Sequence, residues 1–288
     1  MPDLTWLYDA AASLLPFEAM RARFMRQALV ELALLAPMCA VMGVHVVNFR
    51  MAFFSDAISH SAFTGVALGL LLGADARLTM VGFALAVGLA IMAVSRKSSL
   101  SIDTVIGVFF SAGIAFGLAV VSRDRSVARN LQMFLYGDIL TIGDAEIGLT
   151  AVLFVALMAF QTAGFNRLLY VGVNPSLASA HKVPTRAYQY LFAALLSLVV
   201  IVSVWAVGVF LVTAMLIVPA ASARNLARSA SGMFWWALVV ALTSAVTGLL
   251  LSAQPWVRTA TGATIVLCAS AWFGVSAIVS RLHQGTSR

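Results

Sequence analysis

The chain has 288 residues, of which 62% belong to the set AVILMFWYC and only 10% are charged, and its formal net charge is +7. Soluble domains run near half apolar and a quarter charged, so a globular cytosolic protein is excluded and lipid must be the solvent. The apolar runs are continuous rather than alternating, which excludes a transmembrane β-barrel too.

Segment 1–27 carries Asp3 and Asp9 ahead of its first basic residue, Arg21. It lacks the basic-then-apolar order of a secretory signal and reads as an amphipathic lead-in at the interface. Windows free of Asp, Glu, Lys and Arg follow at 32–49, 57–74, 78–95, 104–122, 147–166, 187–223, 229–257 and 259–280. A bilayer core needs about 20 helical residues per crossing. The 187–223 window would reach roughly 55 Å as one helix, so it is divided near Val207 and Gly208. The predicted spans are then 28–49, 51–73, 78–95, 102–121, 146–165, 188–206, 208–226, 232–252 and 258–280. The expected fold is all-α, a polytopic membrane protein of eight or nine transmembrane helices, eight if one segment is re-entrant. Residues 28–281 form a single membrane domain and 282–288 a cytoplasmic tail. Cys39 and Cys268 fall inside spans, where a thiol packs as a small apolar group.

Lys and Arg are retained on the cytoplasmic side of membrane helices. In the nine-span arrangement Arg50, Arg96, Lys97, Arg167, Lys182, Arg186, Arg224, Arg228, Arg281 and Arg288 share one side, against Arg77, Arg123, Arg125, Arg129 and Arg258 on the other. The first set is cytoplasmic by this bias, and the charge is explained by lipid headgroups rather than nucleic acid. Arg21, Arg23 and Arg26 strain the arrangement, since nine crossings put them outside.

The longest cytoplasmic stretch expected between spans is 166–188. Within it Asn174 and Pro175 start a helix and Pro184 stops it about two turns later. So short a helix is marginal alone and must dock, either on the protein's own inner face or in a partner. On the outer side, 130–146 is a semi-apolar loop with Asp138, Asp144 and Glu146, either a docking surface for an external protein or a solvated cap.

Three carboxylates lie in or near spans: Glu31, Asp56 and Asp103. Each needs a partner, a water-filled cavity or a function, because a charge at the bilayer centre costs about 2.5–3.5 kcal/mol. Glu31, near a helix start, and Asp103, beside Arg96 and Lys97, are accounted for by interfacial position and the helix dipole. Asp56 differs, because four residues on comes His60, on the same helical face, with Thr64 a turn further. Carboxylate oxygen with imidazole nitrogen is a divalent-metal pair; the alternative is a buried pair that satisfies itself. Ala57, Ser61, Gly65, Gly69 and Gly73, also four apart, allow close helix approach in lipid. His45, alone in an apolar span, is a weaker pathway candidate, as are Thr64 and Asp103. His181 and His283 have no partner at ligand spacing. Pro219 is expected to kink or break its span.

The stretches RMAFFSDAISHS (50–61), DTVIG (103–107), LYGDIL (135–140), VGVFLVTAMLIVPAASAR (207–224) and GATIV (262–266), in this order over about 20–281, resemble the membrane permease subunit of ABC-type zinc/manganese/iron importers. The resemblance implies a homodimer in the bacterial inner membrane, with two cytoplasmic ATP-binding subunits and an extracytoplasmic metal-binding protein. No permanently bound cofactor is implied, only the transported divalent metal. Asp56 and His60 would contact the metal. The coupling helix seated in the ATPase would be 174–183: Asn174, Pro175, Ser176, Leu177, Ala178, Ser179, Ala180, His181, Lys182 and Val183. The chain departs from the family pattern at Ser55 and Lys182, where glycine is usual, and at Asn174 and Ser176, where acids are usual. No Gly-x4-Gly-Lys-Ser/Thr sequence is present, so ATP would be used by another chain. Asp56 and His60 would equally suit a proton-coupled secondary metal carrier. A membrane metalloenzyme is disfavoured, as no second ligand motif or nucleophile–base set appears in the spans.

Overall fold

The computed structural model describes residues 8, 17–122, 139–257 and 259–285. Nine long helices stand among them: α1 (Arg23–Asn48), α2 (Phe54–Leu72), α3 (Ala76–Lys97), α4 (Ile102–Val121), α5 (Asp144–Val173), α7 (Thr185–Val207), α8 (Val209–Leu226), α9 (Ala230–Ser252) and α10 (Thr261–Gly285), with a short α6 (Pro175–Ala180) between α5 and α7. Eight are long and apolar enough to cross a membrane. The exception is α2, whose Asp56, His60 and run of hydroxyl residues dilute its apolar content. The 1–27 lead-in lies largely outside the described residues, and its last part, from Arg23, belongs to α1.

Two ion pairs fix the direction of the first helices. Arg23 meets Asp144 at 2.9 Å and Arg77 meets Glu146 at 3.8 Å, so α1, α3 and α5 all begin on one face. The chain must therefore return between α1 and α3, and α2 is that return. This reconciles eight with nine: eight apolar spans and one more polar helix inside the bundle. It also places the start of α1 with the less basic loops. There Asp144 accepts hydrogen bonds from Tyr8 (2.7 Å), Gln27 (2.8 Å) and Arg23. Burial together with this carboxylate pushes the Tyr8 hydroxyl up to about 12.

Glycine marks two of the junctions. Gly73 closes α2 in the left-handed region (φ 64), and Gly208 (φ 89, ψ 162) separates α7 from α8, at the division read from the apolar run. The break expected at Pro219 is absent: α8 runs through that residue, which is buried in its packing. The 166–188 loop is also shorter than expected. No proline occurs before Asn174, so α5 continues to Val173. Asn174 ends it, its side chain accepting from the backbone of Ser176 and Leu177 to cap α6. Helix α6 stops at Ala180, and Pro184 begins α7 rather than ending α6.

The small-residue stripe on α2 does what its spacing implies. A Cβ on Gly65 would lie 2.8 Å from the Thr79 carbonyl oxygen, and one on Gly69 3.1 Å from the Ala76 Cα, so α2 and α3 touch backbone to backbone. Earlier along α2, Ser61 meets Gly113 of α4, and Phe63 and Thr64 meet Gly117. Helix α2 is thus held between α3 and α4, and α8 lies equally close against α1 at Gly43.

Candidate functional site

Asp56 lies in the first turn of α2, a position that on an ordinary span would be at the surface. Here it is not. Phe54 and Ile58 pack against Gly88, in the middle of α3 and roughly 18 Å from its outer start. Helix α2 therefore starts short of the inner end of α3 and carries Asp56 and His60 into the bundle. Starting there is also chemically useful, since free amide groups and the helix dipole at the N-terminus offset the cost of a carboxylate.

Both side chains are half-buried. Nδ1 of His60 lies 2.9 Å from the Asp56 carbonyl oxygen. A carbonyl only accepts, so the proton is on Nδ1 and the lone pair on Nε2, the arrangement usual for a metal-binding imidazole. The edge of the ring is held by Phe110 of α4, with centroids 4.9 Å apart. Asp56 Oδ1 accepts a hydrogen bond from Thr213 of α8 at 3.0 Å, across 157 positions of sequence. No cluster of three His, Cys, Asp or Glu suited to a metal occurs among the described residues. Asp56 and His60 are left with one carboxylate oxygen and Nε2 uncommitted.

The remaining candidates are placed differently. Thr64 is buried and donates to the Gly113 carbonyl oxygen at 2.9 Å, joining α2 to α4. His45 is fully buried between the rings of Phe165 and Phe192, with Nε2 taken by Gln161 of α5 at 2.7 Å. Asp103 is exposed in the first turn of α4, whose cap is Ser101. Arg96 turns away from it to Gln189. Glu31 is not interfacial as expected: α1 starts earlier than the charge-free window, so Glu31 is two turns inside it, fully buried, with Oε1 accepting from Thr150 of α5 at 2.9 Å.

Sequence reasoning missed Thr213. Its only local signal is a hydroxyl in an otherwise apolar half of a span, within one of the stretches that carried the resemblance. The pairings Glu31–Thr150 and His45–Gln161 were equally invisible, because nothing local in a helix states which neighbour it will meet.

On the inner face, Ala178 of α6 is buried while Leu177 and the adjoining Val173 are 52% and 80% exposed. The Ser179 and Thr185 hydroxyls are 2.7 Å apart, bracing α6 against the start of α7. At the outer end, Leu140, Val207, Phe210, Gly262 and Val266, drawn from three of the five stretches, line one cavity of about 710 Å³. Residues 135–138 lie outside the described residues.

Comparison with known proteins places the fold and the family. The chain is 31% identical over 249 residues to the high-affinity zinc uptake system membrane protein ZnuB of Haemophilus influenzae, covering 86% of this chain and 95% of that one. It is 31% identical over 276 residues to the manganese transport system membrane protein MntC of Halalkalibacterium halodurans, covering 96% and 91%. Among solved structures, PsaBC from Streptococcus pneumoniae in complex with Fab superimposes with a TM-score of 0.74 at 28% identity over 94% of this chain and 95% of that one. The model of the ABC 3 transport family matches residues 21–280, and the chain belongs to that family, as a multi-pass permease of the bacterial inner membrane.

Proposed function

We propose that this chain forms the membrane route of an ATP-driven importer for a divalent transition metal, zinc or manganese, with Asp56 and His60 as its contacts to the ion. The observation that carries the reading is the pair itself: one carboxylate oxygen and a lone-pair Nε2 on one face of a helix that starts inside the bundle. The relatives named for zinc uptake and manganese transport support the choice of ion. First-row divalent ions accept both ligand types, and two protein ligands hold an ion loosely enough for release. The partners are a pair of ATP-binding subunits at the cytoplasmic face, a metal-delivering protein outside and a second copy of the chain.

Helix α6 is the element through which the ATPase acts. It exposes apolar Leu177 to a partner while Ala178 and the Ser179–Thr185 contact tie it to the bundle. For the second copy the supporting surface is on α4. Gly107, Ser111, Ala115 and Ala119, each four residues on, are all exposed, as a close helix contact in lipid would need.

The test is uptake of zinc and manganese tracers by cells carrying Asp56→Asn or His60→Ala. Loss of uptake with normal insertion and normal amounts of protein is expected. Unchanged uptake in both variants removes the site, and uptake that persists without any ATP-binding subunit removes the ATP-driven reading in favour of a secondary carrier.

A further inference from the structure

Asp56 makes one interhelical hydrogen bond, and it decides how much of the carboxylate an ion can use. Thr213 Oγ1 donates to Oδ1 at 3.0 Å, while His60 Nδ1 is occupied by the Asp56 carbonyl. What faces an arriving cation is one carboxylate oxygen and Nε2. We propose that Thr213 is a positioning residue that sets metal preference, by holding Asp56 to single-oxygen ligation. The inference rests on the metal-contact role of Asp56 and His60 and goes beyond it.

The chemistry follows from what each ion tolerates. Zinc is usually four-coordinate and is content with one oxygen from a carboxylate beside an imidazole. Manganese favours oxygen donors in an octahedral shell and gains from a carboxylate that can offer both of its oxygens. A hydroxyl that takes one lone pair of Oδ1 and fixes the carboxylate's rotation therefore favours zinc and disfavours the two-oxygen grip from which manganese gains. The donor is well placed to be constant. Thr213 lies one helical turn from Leu216, where α8 meets the Gly43 backbone of α1 too closely for any side chain, so its position is fixed by backbone packing rather than by the ion.

The experiment is equilibrium binding of ⁶⁵Zn and ⁵⁴Mn to the purified full-length chain in detergent, comparing wild type with Thr213→Val, Thr213→Ser and Asp56→Asn. Valine keeps the shape and removes the donor. It should leave zinc binding no tighter while manganese binding holds or improves, so the zinc-to-manganese preference falls severalfold. Serine restores the wild-type ratio. Equal losses for both ions, or a valine variant with the wild-type ratio, overturn the inference. If Asp56→Asn binds both ions normally, the metal-contact reading itself has failed, and the two failures are distinguishable.

Discussion

Gly43 offers a direct test of the helix contacts that hold the site. A Cβ built there would penetrate the Leu216 carbonyl oxygen of α8, and would also lie 3.1 Å from its carbon and 3.3 Å from Ala220 Cβ. The obstacle is backbone, so no rotamer change relieves it. Restoring ordinary contact requires α1 and α8 to separate by about 1 Å. Forcing a group into a packed interior costs about 1–3 kcal/mol, and a rigid backbone obstacle puts Gly43→Ala at the upper end. Alanine returns about 1 kcal/mol of helix propensity, leaving a net loss of about 2 kcal/mol. Gly82 on α3 is the control, because a Cβ there meets nothing within 4 Å and its substitution should keep the whole propensity gain. The assay is thermal unfolding of the two purified variants in the same detergent, followed by loss of the monodisperse peak. Gly43→Ala should lower the midpoint and Gly82→Ala should hold or raise it. Zinc binding should fall with the first as well, since a displacement at Leu216 stretches the 3.0 Å Thr213–Asp56 bond past useful length. If the two variants shift the midpoint alike, the close α1–α8 approach is not what orders this region.

Three further outcomes are expected. Glu31→Gln keeps a carbonyl acceptor for Thr150 and should leave stability within about 1 kcal/mol of wild type, whereas Thr150→Val strands a buried carboxyl and should cost about 1–3 kcal/mol; thermal midpoints compare the two. Lys182 adopts φ 58, so Lys182→Gly should stabilise the α6–α7 turn by about 1 kcal/mol, read as slower proteolysis between α6 and α7. Ser111→Cys, on the exposed small-residue face of α4, should form an intersubunit disulfide under mild oxidation, while cysteine at Thr150, buried beside Glu31, should not; a non-reducing gel decides.

The fold was legible because lipid imposes a simple rule, and every charge-free window lies in helix over most of its length, although α1 starts nine residues before its window and α5 runs seven past its own. The division at Gly208 was readable for the same reason, since a single 37-residue helix could not fit one membrane. Asp56 and His60 were legible because their relation is local to one helix. Their depth was not, because it depends on where α2 begins relative to α3, and that follows from contacts at Gly65, Gly69 and Gly88 rather than from hydropathy. Thr213 was hidden for a similar reason: a lone hydroxyl in an apolar span has many bland explanations until its partner is seen. Pro219 does not break its helix, because proline inside a well-packed helix need not, and the division falls at Gly208, which takes φ 89.

The clasp around Asp144 bears on how the chain is made. Tyr8, Arg23 and Gln27 precede their acceptor by 136, 121 and 117 positions. At ribosomal speeds of about 5–20 residues per second, on the order of ten seconds separates the emergence of the three donors from that of the acceptor. For that interval the three donors lack their acceptor, while four helices are made ahead of α5. The tie between the start of α1 and the start of α5 is thus among the contacts that can close only after the first half of the bundle has been synthesised.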